Sequence, residues 1–240
     1  MEFTGEYRRY GVTPGLHNRP LCLTEELGIL MKTIVFTLAA LFGLSATALA
    51  GDPAAGEALT AGCTACHGAD GNSVAPTFPK LAGQNERYLL KQMQDIRDKR
   101  RPVPTMIGQV DNMTDEQLAD IAAYYASQAQ TPGQSSPERL ELGGQVYRAG
   151  VSTTGVAACA GCHGARGSGN APAGWPRLAG QHADYIAQQL RRWRTGAENT
   201  LEENPEGRTN DGDARLMRDV ALRLTDNEID AVANFIAGLH

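Results

Sequence analysis

The chain contains the pattern Cys-x-x-Cys-His twice, at residues 63–67 and 159–163. Two thiols at this spacing can each form a thioether bond to one vinyl group on the same edge of a haem, and the adjacent histidine then supplies an axial nitrogen to the iron. With five Cys and five His in 240 residues, chance predicts only ~0.002 matches. The pattern therefore predicts two covalently bound haem c groups, held by Cys63, Cys66 and His67 and by Cys159, Cys162 and His163.

Three other uses of such cysteines compete with haem attachment. A structural zinc site needs four converging Cys or His ligands, which the motifs supply only by coming together, with His67 and His163 left over. A thioredoxin-like redox pair expects a βαβ setting, and no strand-like pattern surrounds either motif. Short disulfides within the motifs are the third alternative. We favour haem attachment over all three.

Residues 31–50 have the features of a secretory signal peptide. Met31-Lys32 precedes a short apolar run that ends in Ala-x-Ala at Ala50, and the run is too short for a comfortable membrane span. Cleavage there would leave Gly51 as the mature N-terminus. Because bacterial haem attachment takes place outside the cytoplasm, the signal predicts a periplasmic protein.

Residues 1–30 precede this signal, although a signal peptide normally begins at the initiator. We interpret Met31 as the true start and residues 1–30 as an over-extended N-terminus, with an unusually long n-region as the rival interpretation. Cys22 lies in this extension and receives no role.

The mature sequence repeats itself. Phe-Pro-Lys-Leu-Ala-Gly-Gln at 78–84 matches Trp-Pro-Arg-Leu-Ala-Gly-Gln at 175–181, and each follows a haem motif. A polar stretch rich in Pro, Gly and Ser at 128–136 joins the two copies. We therefore predict two domains, 51–131 and 132–240, each with one haem.

Helical signals dominate both copies. Asp52-Pro53 and Ser136-Pro137 each place an N-cap residue before a proline at the first helical position. Amphipathic periodicity predicts helices at about 85–99 and 182–194. The last helix of each copy begins with a capping box, Thr114-x-x-Gln117 or Thr225-x-x-Glu228. The fold class is therefore all-α, with each small unit wrapped around its haem.

The sixth iron ligand is predicted from the register of the repeats. The second copy has one methionine, Met217, eight residues before Thr225; eight residues before the matching Thr114 stands Met106. Met106 and Met217 are therefore the predicted axial partners of His67 and His163. Met93 and Met113 align with Leu190 and Leu224, so both are predicted to pack in the core. Bis-histidine ligation is disfavoured, because only His17, His182 and His240 remain.

Other residues near the motifs have paired interpretations. The Pro79 and Pro176 carbonyls can orient the axial histidines or simply form loop corners. Lys80 and Arg177 can pair with haem propionates or lie in solvent. The basic run at 97–101 is a docking patch or a solvated helix end. Tyr88 and Tyr185 are expected to line the haems. The second copy has 14 extra residues between its tyrosine and its methionine, expected to form a surface loop.

The mature chain resembles the dihaem cytochromes c4 of bacterial periplasms. The resemblance covers 51–240 and rests on the segments at 63–72, 78–84, 88–96, 175–183 and 209–213, with Met217 beyond them. It implies two class I cytochrome c domains related by a pseudo-two-fold axis, with low-spin His/Met haems whose propionate edges face the domain interface. The family's axial methionines fall on Met106 and Met217. The segment before Met106 is shorter, and the loop before Met217 longer, than the family leads us to expect.

The predicted function is electron transfer rather than catalysis. The resemblance implies a carrier between a donor such as a bc1-type complex and a terminal cytochrome oxidase, in some members at the membrane surface. The alternative is a dihaem subunit of an enzyme complex such as a flavocytochrome sulfide dehydrogenase. A dihaem peroxidase is disfavoured, because it needs an open or displaceable sixth position. The formal charge of −5 argues against a nucleic-acid partner.

Overall fold

The computed structural model describes residues 51–199 and 202–240. The predicted signal peptide at 31–50 and the extension at 1–30 lie outside the described residues. The first repeat contains α1 Pro53–Leu59, α2 Thr64–His67, α3 Glu86–Arg97, a 3-10 helix Pro104–Met106 and α4 Asp115–Ser127. The second repeat contains α5 Leu140–Ala149, α6 Ala160–His163, α7 Ala183–Glu198, α8 Leu216–Leu222 and α9 Asp226–Ala237.

Helices are the only regular secondary-structure elements in these described residues. Two isolated antiparallel bridges, Val151 with Val156 and Asn170 with Trp175, are the sole β-type pairs found there. The predicted all-α class is therefore confirmed. No helix in the described part of the chain is both long and apolar enough to cross a membrane.

Hydrogen bonds at the N-caps confirm most of the predicted helix starts. Both capping boxes form, at Thr114 with Gln117 and at Thr225 with Glu228. The Asp52 carboxylate accepts a hydrogen bond from the backbone N–H of Ala54, at 2.9 Å, as an N-cap should.

The predicted start of α5 at Ser136-Pro137 is wrong. The helix begins at Leu140, after Arg139 in a left-handed conformation with φ of 55°. The Asn234 side chain on α9 explains the difference. It accepts a hydrogen bond from the Ser136 N–H at 2.8 Å and donates one to the Ser136 carbonyl at 2.9 Å. The backbone of Ser136 is thus tied to α9 rather than to the start of a helix.

Two helix ends also differ from the prediction. Helix α3 ends at Arg97, and Lys99 then turns the chain with φ of 61°. Helix α7 continues to Glu198, beyond the predicted 194. Its last turn packs Gly196 against the backbone of Arg208: a Cβ added at Gly196 would lie 2.1 Å from the Arg208 carbonyl oxygen. The inserted segment of the second repeat therefore folds back onto α7.

In each repeat the first helix packs closely on the last one through a glycine. A Cβ added at Gly56 of α1 would lie 2.0 Å from the Asp120 carbonyl oxygen on α4. One added at Gly143 of α5 would lie 2.1 Å from the Ala231 carbonyl oxygen on α9. These crossings leave no room for a side chain, so backbone contacts backbone beside each haem motif.

We predict that Gly143→Ala destabilises the folded protein by ~1–3 kcal/mol, because the new methyl group overlaps a helix backbone that cannot move away. Thermal or denaturant unfolding of the haem-loaded protein measures this. Gly62→Ala is the matched control, because its Cβ would meet only the Gln109 side chain at 3.6 Å. Equal stability of the two variants would contradict the close crossing.

Candidate haem sites

Each Cys-x-x-Cys-His motif forms a single helical turn. Cys63 is the N-cap of α2 and Cys159 the N-cap of α6. The turn closes through a hydrogen bond from the histidine N–H to the carbonyl of the first cysteine, at 3.0 Å for His67 and 2.9 Å for His163. Positions i, i+3 and i+4 share one face of a helix. Both thiols and the imidazole of one motif therefore face the same side.

The motif cysteines are free thiols. Cys66 and Cys162 are exposed, and Cys63 and Cys159 are partly buried. Burial raises the pKa of the Cys63 thiol, and it raises the pKa of Cys159 to about 11. Neither motif contains a disulfide. Within the described residues, no three His, Cys, Asp or Glu side chains come together as a metal site, so the two motifs do not converge as a zinc site would require.

Of the two interpretations of Pro79 and Pro176, the structure supports the one in which their carbonyls orient the motif histidines. Nδ1 of His67 lies 3.0 Å from the Pro79 carbonyl oxygen, and Nδ1 of His163 lies 3.0 Å from that of Pro176. A carbonyl only accepts hydrogen bonds, so Nδ1 carries the proton and Nε2 stays free. Burial lowers the pKa of both histidines, although the carbonyls oppose the shift. Both rings are thereby favoured in the neutral form that binds metals.

The predicted axial methionines lie in short helical segments after the α3 and α7 helices. Met106 ends the 3-10 helix, is partly buried and packs against the cluster around Ile96 and Leu118. Met217 is the second residue of α8 and is also partly buried. Its N–H donates to the Asp211 carboxylate at 3.1 Å, and Asp211 forms a largely buried ion pair with Arg218 at 2.7 Å. The segment of Met106 is therefore fixed by packing, and the segment of Met217 by hydrogen bonds to Asp211.

The competing methionines pack as predicted. Met93 contacts the buried clusters of the first repeat, and so does Met113. This confirms the interpretation of both as packing residues.

Two glutamines join the repeats by reciprocal hydrogen bonds. The Gln84 side chain accepts from the Arg177 N–H at 2.7 Å and donates to the Arg177 carbonyl at 2.8 Å. Gln181 makes the same pair of bonds with Lys80, each at 2.9 Å. These residues belong to the repeated Lys/Arg-Leu-Ala-Gly-Gln segments. The repeat is thus explained by a pseudo-two-fold contact between its two copies.

The glycine before each glutamine makes this contact feasible. Gly83 has φ of 64° and Gly180 has φ of 69°, a left-handed conformation that costs a glycine little. The N–H of Gly83 also bonds to the Tyr125 carbonyl on α4, and that of Gly180 to the Ile236 carbonyl on α9. The turn is therefore fixed to its own repeat while the next side chain crosses to the other.

A second group of buried polar side chains lies between the repeats. Arg101 and Arg208 are only 7% and 5% exposed. Arg101 donates to the Tyr185 hydroxyl at 2.9 Å, and Arg208 donates to the Tyr88 hydroxyl at 3.2 Å. Both guanidinium groups also bond to the same two glutamine oxygens. We call this set the arginine cluster, comprising Arg101, Arg208, Tyr88, Tyr185, Gln92 and Gln189.

The two arginines of the cluster form no direct ion pair among the described residues, although the buried Asp95 carboxylate acts on Arg101 through its charge. None of the ion pairs among the described residues involves Arg101 or Arg208. Burial, together with the nearby charge of Arg101, lowers the pKa of Arg208. Burial alone would raise the pKa of Tyr88, but the two guanidinium charges outweigh it and lower that pKa. Two buried guanidinium groups this close together would be stabilised by an anionic group beside them.

Sequence reasoning missed the arginine cluster. Arg101 ends a charged run, and Arg208 lies in the inserted segment, so neither has a hydrophobic or motif signal. The docking-patch interpretation of 97–101 is not supported. Arg97, Lys99 and Arg100 form ion pairs with nearby aspartates, and Arg101 is buried.

Lys80 and Arg177 do not lie free in solvent. The Lys80 ammonium donates to the Thr131 carbonyl at 2.9 Å, and Arg177 Nε donates to the Gln130 side-chain oxygen at 2.6 Å. These two cations therefore hold the segment that links the repeats, instead of lying free in solvent.

The comparisons with known proteins agree with this geometry. The Cytochrome c family model matches residues 53–129 and 141–240. Cytochrome c4 from Azotobacter vinelandii is 48% identical over 220 residues, covering 88% of this chain and 100% of the relative. The chain belongs to the cytochrome c4 family.

The crystal structure of reduced recombinant cytochrome c4 from Pseudomonas stutzeri matches with a TM-score of 0.74 at 46% identity, covering 80% of this chain and all of that one. A "Thiosulfate dehydrogenase electron acceptor" from Thiomonas intermedia is 35% identical over 214 residues, covering 85% and 88% of the two chains.

As a cytochrome c4, the protein is a dihaem electron carrier rather than an enzyme, with two cytochrome c domains and two covalently bound haem c groups. The residues present fit these groups. Each motif offers two free thiols and one oriented imidazole on a common helix face. The arginine cluster offers two buried guanidinium groups with no directly paired carboxylate among the described residues, which suits the carboxylates of a bound cofactor.

A buried tyrosine beside the first thiol of each motif further distinguishes the two cytochrome c4 sites. In the first repeat it is Tyr125 of α4, facing Thr60; in the second it is Tyr147 of α5, and Ile236 of α9 stands where Tyr125 does. The tyrosine therefore lies on the last helix of the first repeat but on the first helix of the second repeat. The Tyr147 hydroxyl donates to the Gly164 carbonyl at 2.6 Å, whereas the buried Tyr125 hydroxyl faces Thr60 and the sulfur of Cys63, which is a weak acceptor.

This difference predicts unequal costs for the same mutation. Tyr147→Phe removes a short hydrogen bond to a carbonyl and should destabilise the haem-loaded protein by ~1 kcal/mol. Tyr125→Phe removes weaker interactions with a sulfur atom and with Thr60, and should cost ~0.5 kcal/mol or less. Denaturant unfolding of the two variants, run side by side, measures both values. A larger loss for Tyr125→Phe than for Tyr147→Phe would contradict this ranking.

Proposed function

We propose that the protein transfers electrons one at a time through two six-coordinate haems, ligated by His67 and Met106 and by His163 and Met217. The observation that carries the proposal is the pair of buried histidines, each with Nδ1 engaged by a proline carbonyl and Nε2 free. The partly buried methionines at matching register support the sixth position.

When bound, the haems supply reversible Fe(III)/Fe(II) chemistry. The protein residues hold each iron without taking part as acid, base or nucleophile. The histidine tautomer is fixed by the proline carbonyl, so the ring keeps one orientation in both oxidation states. Filling the sixth position with methionine closes the iron to substrates and favours a relatively high potential.

We further propose that the arginine cluster receives haem propionates. Two buried guanidinium groups without a carboxylate partner are costly unless an anion lies beside them. Arg101 lies five residues before Met106 and Arg208 nine residues before Met217, so each arginine precedes the methionine segment of its own site. This assignment replaces Lys80 and Arg177, which bind the linking segment.

The methionine assignment predicts a spectroscopic result. The oxidised protein should show the weak near-infrared band of sulfur-to-iron charge transfer with the intensity of two centres. Met106→His and Met217→His should each remove about half of it, because imidazole replaces one thioether ligand. Absorption spectroscopy of the purified variants measures this.

Two other methionines provide matched controls for that experiment. Met93→Leu and Met113→Leu introduce the residues found at the equivalent positions of the second repeat, Leu190 and Leu224, and should leave the band unchanged. An unchanged band in both histidine variants, or a loss in either control, would refute the ligand assignment.

We propose a periplasmic carrier that passes electrons from a bc1-type complex to a terminal cytochrome oxidase. Residues 31–50 would direct export, and the mature domains would comprise 51–131 and 132–240. The charge pattern of a signal peptide and the family's role as electron carriers support this view. Peripheral membrane association is part of the proposal.

A second candidate role is electron acceptor of a dehydrogenase. The similarity to a thiosulfate dehydrogenase electron acceptor favours a dehydrogenase of this kind as the enzyme partner, rather than a flavocytochrome sulfide dehydrogenase. Two reactions separate the roles: oxidation of the reduced protein by oxidase-containing membranes, and reduction of the oxidised protein by a thiosulfate dehydrogenase with thiosulfate. Fast oxidation by membranes with slow reduction by the dehydrogenase supports the respiratory carrier, and the reverse pattern supports the acceptor role.

A further inference from the structure

The proline that holds His163 lies between two contacts with the other domain. Trp175, the residue before Pro176, accepts a hydrogen bond through its carbonyl from the Asn85 side chain at 2.6 Å. Arg177, the residue after it, is bound through both its N–H and its carbonyl by Gln84, at 2.7 and 2.8 Å. The carbonyl that orients the histidine is thus positioned by side chains of the first repeat.

The proline that holds His67 is positioned in the same way. Lys80, the residue after Pro79, is bound through its N–H and its carbonyl by Gln181 of the second repeat, each at 2.9 Å. On the other side, the Ser73 hydroxyl donates to the Phe78 carbonyl at 2.7 Å. Nε2 of His182, again from the second repeat, lies 2.9 Å from the Ser73 carbonyl oxygen.

We infer that the two domains tune each other's haem through these crossed contacts. Gln181 of the second domain positions the carbonyl that binds His67, and Gln84 of the first domain positions the carbonyl that binds His163. Both glutamines act as positioning residues, one covalent step from the residue that contacts the axial ligand. The inference rests on the proposed function, in which these two histidines ligate iron.

The physical consequence concerns the basicity of the axial imidazole. A short Nδ1–H···O bond makes the ring a better donor to the metal, and this stabilises the more highly charged Fe(III) state. If the proline segment loses its cross-domain support, the bond lengthens and the imidazole becomes a weaker donor. The potential of the haem in the opposite domain then rises, whereas the haem in the mutated domain keeps its own support.

The experiment uses the complete haem-loaded protein with Gln181→Leu or Gln84→Leu. In the diamagnetic Fe(II) state, nuclear magnetic resonance follows the solvent exchange of the Nδ1–H of His67 and of His163. We expect Gln181→Leu to speed exchange at His67 about fivefold or more, the factor typical for loss of one hydrogen bond, with little change at His163. Gln84→Leu should do the reverse.

A redox titration of the same variants gives a second readout. The reduction equilibrium constant of the haem opposite the mutation should rise about threefold, equivalent to about 28 mV at 59 mV per tenfold for a one-electron couple. This measurement also serves if a variant is too unstable for long resonance experiments.

A glutamine elsewhere serves as the control. The Gln128 side chain forms its hydrogen bonds with Tyr124 and Ser127 of its own repeat. Gln128→Leu should therefore leave the exchange of the two histidine protons and both potentials unchanged.

The outcomes separate this inference from the function on which it rests. A crossed pattern in either readout supports the tuning. Unchanged exchange and potentials in both variants, or equal changes at both histidines, overturn it while leaving electron transfer intact. Failure of the proposed function is seen instead in the unaltered protein, as a spectrum without six-coordinate low-spin haem.

Discussion

The hydrogen bond from each motif histidine to a proline carbonyl is the interaction around which each domain is organised. A single helical turn such as α2 or α6 is not stable alone, so its imidazole must be fixed by the chain that follows. The Pro79 and Pro176 carbonyls do this from 12 and 13 residues away. Everything that sets those two prolines in place also sets the orientation of the two imidazole rings.

The contact between the domains is built from the same segments. After each proline, the backbone of Lys80 or Arg177 is bound by a glutamine of the other domain, so one interface supports both histidines. The arginine cluster adds a buried positive charge between the domains, which a pair of anionic cofactors can balance. The contact between the domains therefore also shapes the surroundings of each haem motif. Two domains that did not touch would lack this coupling.

Local sequence signals predicted much of the fold and the site. The haem motifs, the capping boxes at Thr114 and Thr225, and the proline carbonyls depend on residues close in sequence, and all are seen in the structure. Contacts between distant segments were not predictable. Arg101 and Arg208 have no motif, and their burial depends on how the two domains meet. The α5 start was misjudged for the same reason, because Asn234 on α9 binds the backbone of Ser136.

The central claim is that one chain holds two haems, each with both axial positions of its iron filled by protein ligands. Spectroelectrochemical titration of the purified haem-loaded protein tests it most directly. The account predicts that each chain takes up two electrons in one-electron steps, with a six-coordinate low-spin spectrum throughout. Uptake of a single electron, or conversion of either centre to a high-spin, five-coordinate form during the titration, would contradict it.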